Sequence, residues 1–233
     1  MNEKLSRVFF YLFTIITVLL VISLGNRTVT VLSEQAVNSG RTRIVIDPGH
    51  GGVDGGAVSC TGKPESAYNL EIALKLNDLL RLLGYQPCMI RTADVSVYTK
   101  GETIAQKKVS DLKERVRIAN EAENTLLLSI HQNTFPDSRY SGAQVFYSST
   151  EGSRELAEAL QKEFHQTINP GSRRQAKKSS GVYLMEHIRC PAVLIESGFL
   201  SNPEEANLLE TPEYQQKVSC VIASSVSRYL SNT

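Results

Sequence analysis

The chain has 233 residues, 41% of them hydrophobic, and a formal net charge of +1 at pH 7. This length and apolar share predict a globular protein of one or two domains with a core of its own. A balanced charge gives no basic field, so we exclude nucleic acid as the main partner. The four cysteines lack the Cys-x-x-Cys spacing of a thiolate zinc site or a redox pair.

An uninterrupted apolar run, Val8–Leu24, follows Lys4 and Arg7. Seventeen residues without charge or proline are just enough to cross a membrane and exceed the apolar part of most secretion signals. A buried core helix would show a polar face, which this run lacks. We predict a signal anchor with its cationic end in the cytoplasm, and hence an extracytoplasmic, membrane-anchored protein, or a secreted one if the segment is cleaved. The predicted segments are an anchor over 1–25, a tether over 26–42 and a catalytic domain over 43–233.

Beyond the tether, short apolar runs alternate with segments of helical spacing. In chain order the pattern predicts a strand at 43–47, a helix at 66–83, a strand at 86–92, a polar loop at 93–110, a helix at 112–123, strands at 125–131 and 143–148, a helix at 153–168, strands at 181–185 and 192–197, and helices at 203–209 and 212–230. This alternation predicts a single α/β domain with a mostly parallel, twisted sheet and helices on both faces.

The first predicted strand runs into Asp-Pro-Gly-His-Gly-Gly, in which glycines flank His50. Glycine allows sharp backbone turns and keeps bulk away from the imidazole. A phosphate-binding loop is the competing interpretation, but neither G-x-G-x-x-G nor G-x-x-x-x-G-K-[ST] is present. Two more predicted strands end in residues able to bind metal or move protons, His131 and Glu196. Because parallel strands end at one edge, we expect the three side chains to converge.

Two histidines and one carboxylate, with a water in fourth place, form a common catalytic zinc site. From the residues alone, the carboxylate could come from Asp47, Asp54, Glu65 or Glu71. Asp47 could equally orient His50 through a hydrogen bond. Glu65 opens the first predicted helix and could reach back to the loop, whereas Glu71 lies farther along, where a surface position is expected. The chain has no H-E-x-x-H motif, so it is not a zincin.

Several motifs in order resemble the zinc-dependent N-acetylmuramoyl-L-alanine amidases of bacterial cell walls, the amidase type 3 family. The motifs are IDPGHGGVDGGA, ESAYNLEIA, MIRT, ERVRIAN, LLLSIHQN and LIESGFLSNPEEANLL. The resemblance extends from Arg43 to the C-terminus and is strongest to the sporulation and germination amidases that prepare spore cortex peptidoglycan. It implies hydrolysis of the amide that joins the lactyl group of N-acetylmuramic acid to L-alanine of the stem peptide.

The resemblance also implies roles for individual residues. His50, Glu65 and His131 match the zinc ligands, and Glu196 matches the catalytic acid–base. Two departures from the family pattern, Ser66 after the ligand glutamate and Asn133-Thr134 after the SIH motif, touch no ligand but could alter substrate fit or zinc affinity.

Three further features receive weaker interpretations. Asn133, at the end of the SIHQN strand, is a candidate substrate contact. Arg115 could bind a carboxylate or brace the fold, and we favour bracing. The segment 172–178 could meet anionic glycan, although a solvated charged loop is its expected state.

Two other functions stay open at this stage. A zinc carboxypeptidase acting on cell-wall peptides uses a similar ligand set, but needs an arginine for the free carboxylate of its substrate. A peptidoglycan-binding protein without activity is the other alternative, against which the presence of all four catalytic positions argues. The predicted partners are peptidoglycan and, through the N-terminal segment, the membrane; the sequence leaves open whether an activator protein is needed.

Overall fold

The computed structural model describes residues 42–121 and 123–232. The predicted anchor lies outside these residues, as does the predicted tether apart from Thr42. Within the described residues, no helix is both long enough and apolar enough to cross a membrane.

Six strands and six helices lie in the described part of the chain. The strands are β1 (Arg43–Pro48), β2 (Cys88–Met89), β3 (Thr125–Asn133), β4 (Gln144–Tyr147), β5 (Lys177–Lys178) and β6 (Ala192–Phe199). The helices are α1 (Glu65–Leu82), α2 (Ile104–Asn120), α3 (Ser153–Thr167), α4 (Tyr183–His187), α5 (Pro203–Glu210) and α6 (Pro212–Ser231).

The strands form one mixed sheet in the order β2-β1-β3-β6-β4-β5. Strands β2, β1, β3 and β6 are parallel, whereas β4 runs antiparallel to β6 and parallel to β5. The prediction of a largely parallel sheet therefore holds for the four strands β2, β1, β3 and β6, and the reversed β4 makes the whole sheet mixed. Strands β3 and β6 are central and covered on both sides, which explains their continuous apolar runs.

Helices cover both faces, as predicted. On one face α1, α3 and α6 pack over Leu128, Val145 and Ile195, which belong to one buried cluster. On the other face α2 and α4 pack over Leu127 and Leu194. The alternation of side chains along β3 sends its even-numbered apolar residues to the first face and its odd-numbered ones to the second.

The loop predicted over 93–110 is shorter than expected, because α2 already begins at Ile104. Thr103 caps this helix: its hydroxyl accepts from the Gln106 backbone N–H at 3.2 Å, and the Gln106 side chain accepts from the Thr103 N–H at 3.2 Å. This reciprocal capping box starts the helix in a polar stretch whose apolar periodicity is weak.

The strand predicted at 181–185 is wrong, since that segment turns into the short helix α4. The N–H of Gly181 donates to Glu186 Oε1 at 2.7 Å, which closes the first turn. A short apolar run fits a strand or a buried helical turn equally well, and only its packing decides between them.

Two edge strands also differ from expectation. The strand predicted over 86–92 pairs only at Cys88–Met89, and the segment predicted as a charged loop, 172–178, contributes the edge strand β5. Both lie at the margins of the sheet, where few neighbours are available for pairing.

Candidate metal centre

Three side chains meet beyond the carboxyl ends of the parallel strands. His50 follows β1, His131 lies near the end of β3, and Glu65 is the first residue of α1. One potential ligand atom from each lies within 4.8 Å of the others. The parallel pairing of β1 with β3 brings the two histidines to the same edge, as the sequence predicts.

Glu65 lies between the two imidazoles. Its Oε1 is 2.9 Å from His131 Nδ1, and its Oε2 is 3.2 Å from His50 Nε2. The rings are T-shaped to one another, with centroids 5.0 Å apart. This arrangement directs two imidazole nitrogens and one carboxylate toward a common point.

Neighbouring groups fix the Glu65 carboxylate. Asn69 Nδ2 donates to Oε1 at 3.2 Å, the Gln132 N–H donates to Oε1 at 3.2 Å, and the Ala57 N–H donates to Oε2 at 3.1 Å. Burial alone would raise the pKa of Glu65, but hydrogen bonds from His131 and His50 hold that pKa well below its usual range. Glu65 is therefore an ionised carboxylate of fixed orientation, as a metal ligand must be.

Asp54 contacts the other nitrogen of His50. Its Oδ2 lies 3.0 Å from His50 Nδ1, and its Oδ1 lies 2.8 Å from Lys108 Nζ. Burial lowers the pKa of His50, but the carboxylates of Glu65 and Asp54 outweigh it and raise that pKa. Asp54 thus has the orienting position that the sequence analysis offered to Asp47.

Asp47 instead anchors a buried guanidinium. It accepts from Ser129 Oγ at 2.7 Å and from Arg115 Nη1. Burial would raise the pKa of Asp47, yet the Arg115 charge and these hydrogen bonds hold it below its usual range. Asp47 makes no hydrogen bond to His50 in the described structure, so the orienting role suggested for it is wrong.

Arg115 braces the histidine loop, in line with the structural role favoured from sequence. Besides Asp47, it donates to the carbonyl of Pro48 at 3.0 Å and to that of His50 at 2.7 Å. His50 has a φ of 60°, a left-handed conformation unusual for a residue with a side chain. The guanidinium therefore stabilises a strained loop from its carbonyl side.

Sequence reasoning missed a second brace, Arg91, whose only signal was its place in the MIRT motif. Its guanidinium donates to the carbonyls of Pro48 at 2.9 Å, Gly49 at 2.9 Å and Ser66 at 2.8 Å. Burial and the charge of Arg115 lower its pKa to about 10. Arg91 thereby joins the histidine loop to the first turn of α1, where Glu65 lies.

At Gly49 and Gly56 a side chain would collide with the candidate ligands. A Cβ at Gly49 would lie 2.2 Å from His131 Nε2, and one at Gly56 would lie 2.6 Å from Glu65 Oε2. Gly56 also has a φ of 71°. The expectation that the glycines keep bulk away from His50 holds at Gly56, where a Cβ would lie 2.8 Å from His50 Cδ2. At Gly49 the histidine that needs the space is His131 instead.

Glu196 lies on β6 directly opposite His131 in the parallel register. Its Oε2 is buried and has no hydrogen-bond partner in the described part of the chain. Burial raises the pKa of Glu196 to about 7; the Glu65 charge adds to this effect, and His131 and His50 oppose it. A carboxyl group with such a pKa can both accept and donate a proton near neutral pH.

Two other predicted positions do not belong to the cluster of candidate ligands. Asn133 is half-buried at the end of β3, two residues beyond His131, and pairs with Phe199 of β6. Glu71, one of the four candidate carboxylates, forms a salt bridge with Lys63 at 2.8 Å instead.

Comparison with known proteins gives a consistent result. A family model described as N-acetylmuramoyl-L-alanine amidase matches residues 44–228. The chain is 41% identical to the germination-specific N-acetylmuramoyl-L-alanine amidase of Bacillus subtilis (strain 168), with 80% of this chain and 78% of that protein covered.

Solved structures agree. The CwlD amidase of Clostridioides difficile, determined in complex with the GerS lipoprotein, superposes with a TM-score of 0.79 at 36% identity, covering 83% of this chain and all of that one. An N-acetylmuramoyl-L-alanine amidase of Clostridium difficile 630 superposes with a TM-score of 0.72 at 30% identity, covering 84% of this chain and all of that one.

Proposed function

This chain belongs to the N-acetylmuramoyl-L-alanine amidase family of peptidoglycan hydrolases, and we propose that it works with a zinc ion held by His50, Glu65 and His131. The bond cut is the amide between the lactyl group of N-acetylmuramic acid and L-alanine of the stem peptide. One observation carries the proposal: two imidazoles and an ionised carboxylate converge within 4.8 Å, beside the unpartnered carboxyl of Glu196.

The donor set fits zinc. Two histidines and one glutamate are a ligand set of catalytic zinc sites, which leave a coordination position open. The Asp54 contact to His50 Nδ1 leaves Nε2 for the metal and fixes the ring, as metal-binding histidines usually require. When bound, zinc supplies Lewis-acid polarisation of the scissile carbonyl and makes water more acidic.

Glu196 is the proposed acid–base. Its carboxylate accepts a proton from the attacking water and then donates it to the nitrogen of the departing L-alanine. Its pKa of about 7 suits both steps, because the driving forces for taking up and releasing the proton are then similar. Asn133, at the nearby end of β3, is the proposed substrate contact.

The relatives support a proposal for the biological setting. We assign the chain to spore cortex maturation, with formation of muramic lactam, because the Bacillus subtilis relative is named germination-specific. The substrate lies outside the cytoplasm, which supports an extracytoplasmic location; attachment through residues 1–25 remains part of the proposal. The lipoprotein complex of the Clostridioides difficile relative suggests that a protein partner also serves this chain.

Digestion of defined muropeptides tests the reaction. The purified full-length chain is incubated with a muramoyl pentapeptide and zinc, and the products are identified by mass spectrometry. An amidase releases the intact stem peptide, a carboxypeptidase releases only a terminal amino acid, and a binding protein releases nothing. Loss of the peptide product in chelator, with recovery on added zinc, is the expected metal dependence. In the producing organism, cortex from deletion spores with normal muramic lactam would overturn the cortex assignment alone.

A further inference from the structure

A groove at the β4–β5 margin of the sheet contains none of the residues assigned above to metal binding, proton transfer or substrate contact. It has a volume of about 960 Å³ and is bounded by the loop leading into β4 and the loop following α3. Its lining includes the cationic side chains of Arg173, Arg174 and Lys177, and no aspartate or glutamate is among the described residues that line it. A concave surface whose charged groups are all positive attracts an anionic ligand.

Gln144 connects the groove to the edge of the sheet at which His131 and Glu196 lie. This residue lines the groove, and it is the register partner of Glu196 in the β4–β6 pair. Directly paired residues of antiparallel strands lie about 4.5–5.5 Å apart, measured between their Cα atoms. The groove therefore begins one strand away from the proposed acid–base.

Arg174 is held in position on the groove wall. Its Nε donates to the Ser141 carbonyl at 2.8 Å, its Nη1 donates to Gln144 Oε1 at 3.3 Å, and its guanidinium lies 4.7 Å from the centre of the Phe199 ring. Within the described residues, Nη2 has no hydrogen-bond partner and Arg174 forms no salt bridge. A planar guanidinium fixed in this way loses little entropy when its remaining donors bind a carboxylate.

The charge of Arg174 acts on one buried carboxyl group, that of Glu205, whose pKa burial raises and Arg174 lowers. The oxygens of this carboxyl group already have hydrogen-bond partners. Glu205 Oε1 accepts from the Gly142 N–H at 2.8 Å, and Oε2 accepts from the Phe199 N–H at 2.8 Å. Glu205 therefore ties the β4 loop to the end of β6 and leaves the guanidinium available to a ligand.

We propose that this groove is the subsite for the acidic stem peptide, with Arg174 binding a peptide carboxylate and with Arg173 and Lys177 as outer contacts. The inference rests on the proposed function and identifies which part of the substrate lies on this side of the scissile amide. In the uncleaved substrate the lactyl carboxyl groups are bound as amides, so the N-acetylated glycan carries no charge to pair with three cations, whereas stem peptides carry free carboxylates. Arg174 is thus a specificity-determining residue.

Equilibrium binding of a free stem peptide tests the subsite. Calorimetry compares the acidic peptide with its fully amidated form on the full-length chain. The acidic form should bind roughly 10- to 100-fold more tightly, the usual worth of hydrogen bonds to charged groups, and its affinity should fall with added salt. Arg174→Gln should remove this difference without changing the affinity for the amidated peptide.

Two further variants keep the test independent of folding. Arg173→Gln combined with Lys177→Gln changes only exposed side chains and should weaken acidic-peptide binding by a smaller factor. Arg189→Gln changes an exposed arginine before the start of β6, away from the groove, and should leave binding as in the wild type. Equal binding of the two peptides by the wild type, or an equal loss in Arg189→Gln, would overturn the inference.

The peptide is a reaction product, so its binding needs no turnover. Muropeptide hydrolysis without peptide discrimination would refute the subsite and leave the proposed function standing. Tighter binding of the acidic peptide without muropeptide hydrolysis would support an acidic-peptide site and refute the proposed function.

Discussion

At the scale of single residues, two glutamates close to the same histidines have opposite properties. Glu65 accepts hydrogen bonds from both imidazoles and from backbone N–H groups, so it stays ionised. Glu196 has a buried oxygen without a partner among the described residues, so burial raises its pKa to about 7. Surroundings that separate the pKa values of two carboxyl groups separate their roles as well.

The first prediction separates metal binding from proton transfer. Glu196→Gln should keep zinc and the fold while hydrolysis falls roughly 10²–10⁴-fold, because an amide cannot accept the proton of the attacking water. Alanine at His50, Glu65 or His131 should lose zinc together with activity. Bound zinc, melting temperature and turnover are measured on all four variants. If Glu196→Gln loses zinc and Glu65→Ala retains it, the two carboxylates have been exchanged.

A second prediction concerns the clearance at Gly49. Gly49→Ala should displace His131 and weaken zinc binding, since the new Cβ would lie 2.2 Å from Nε2. Gly55→Ala is the matched control in the same loop, because its Cβ would meet only Pro64 at an ordinary 3.5 Å. Zinc affinity is measured by competition with a chromogenic chelator. Equal affinities in the two variants would show that this contact does not position the ligand.

At the scale of elements, helix α2 holds the histidine loop although none of the proposed metal ligands lies on it. Arg115 reaches from α2 to Asp47 and to the His50 carbonyl, and Lys108 of the same helix pairs with Asp54. The capping box at Thr103 determines where this helix starts. The geometry of the loop therefore depends on a helix that begins more than fifty residues later in the chain.

The third prediction removes the buried brace on this helix. Arg115→Met should lower the free energy of unfolding by about 3–5 kcal/mol, because it leaves the buried carboxylate of Asp47 without its partner. Arg117 lies two residues further along the same helix. Arg117→Met removes an exposed ion pair and should change stability little. Urea unfolding of both variants makes the comparison. A similar loss in the two would mean that Arg115 is not the brace.

At the scale of the whole molecule, the parallel strands bring the site residues to one edge of the sheet. A buried ion pair at this edge also contributes to the stability of the fold. The Asp47–Arg115 pair lies beneath the histidine loop and is almost inaccessible to solvent. The pKa of Asp47 in the folded state is below its ordinary value of 3.8. Ionised Asp47 therefore stabilises the folded state at pH values above its pKa in the unfolded chain. This contribution is complete above about pH 4 and is lost as the pH falls through the lower folded-state pKa.

The fourth prediction follows from this lowered pKa of Asp47. The free energy of unfolding should decrease below about pH 4 in the wild type, and the decrease should be shallower in Asp47→Asn, which has no proton to gain at this position. Asp78→Asn, on the exposed side of α1, is the control and should retain the wild-type slope. Unfolding in urea at a series of pH values measures the slopes. If the free energy of unfolding depends on pH in the same way in wild type and Asp47→Asn, Asp47 is not a source of the loss of stability in acid.

The sequence by itself determined the alternation of strands and helices and the edge at which His50, His131 and Glu196 lie. These features are local: an apolar run of given period, and the residue that ends it, are read within a few positions of each other. Resemblance to the amidases added the roles of the four residues, which the experiments above test.

Only the tertiary structure decided how the site is supported. It placed Glu65 between the histidines and Asp54 on the far nitrogen of His50, where the residues alone had left four carboxylates open. It also brought Arg91 and Arg115 onto the carbonyls of the histidine loop and reversed β4 beside β6. Apart from the short-range Asp54 contact, these interactions join residues far apart in the chain. Their geometry depends on how helices and strands pack, which no local pattern of side chains encodes.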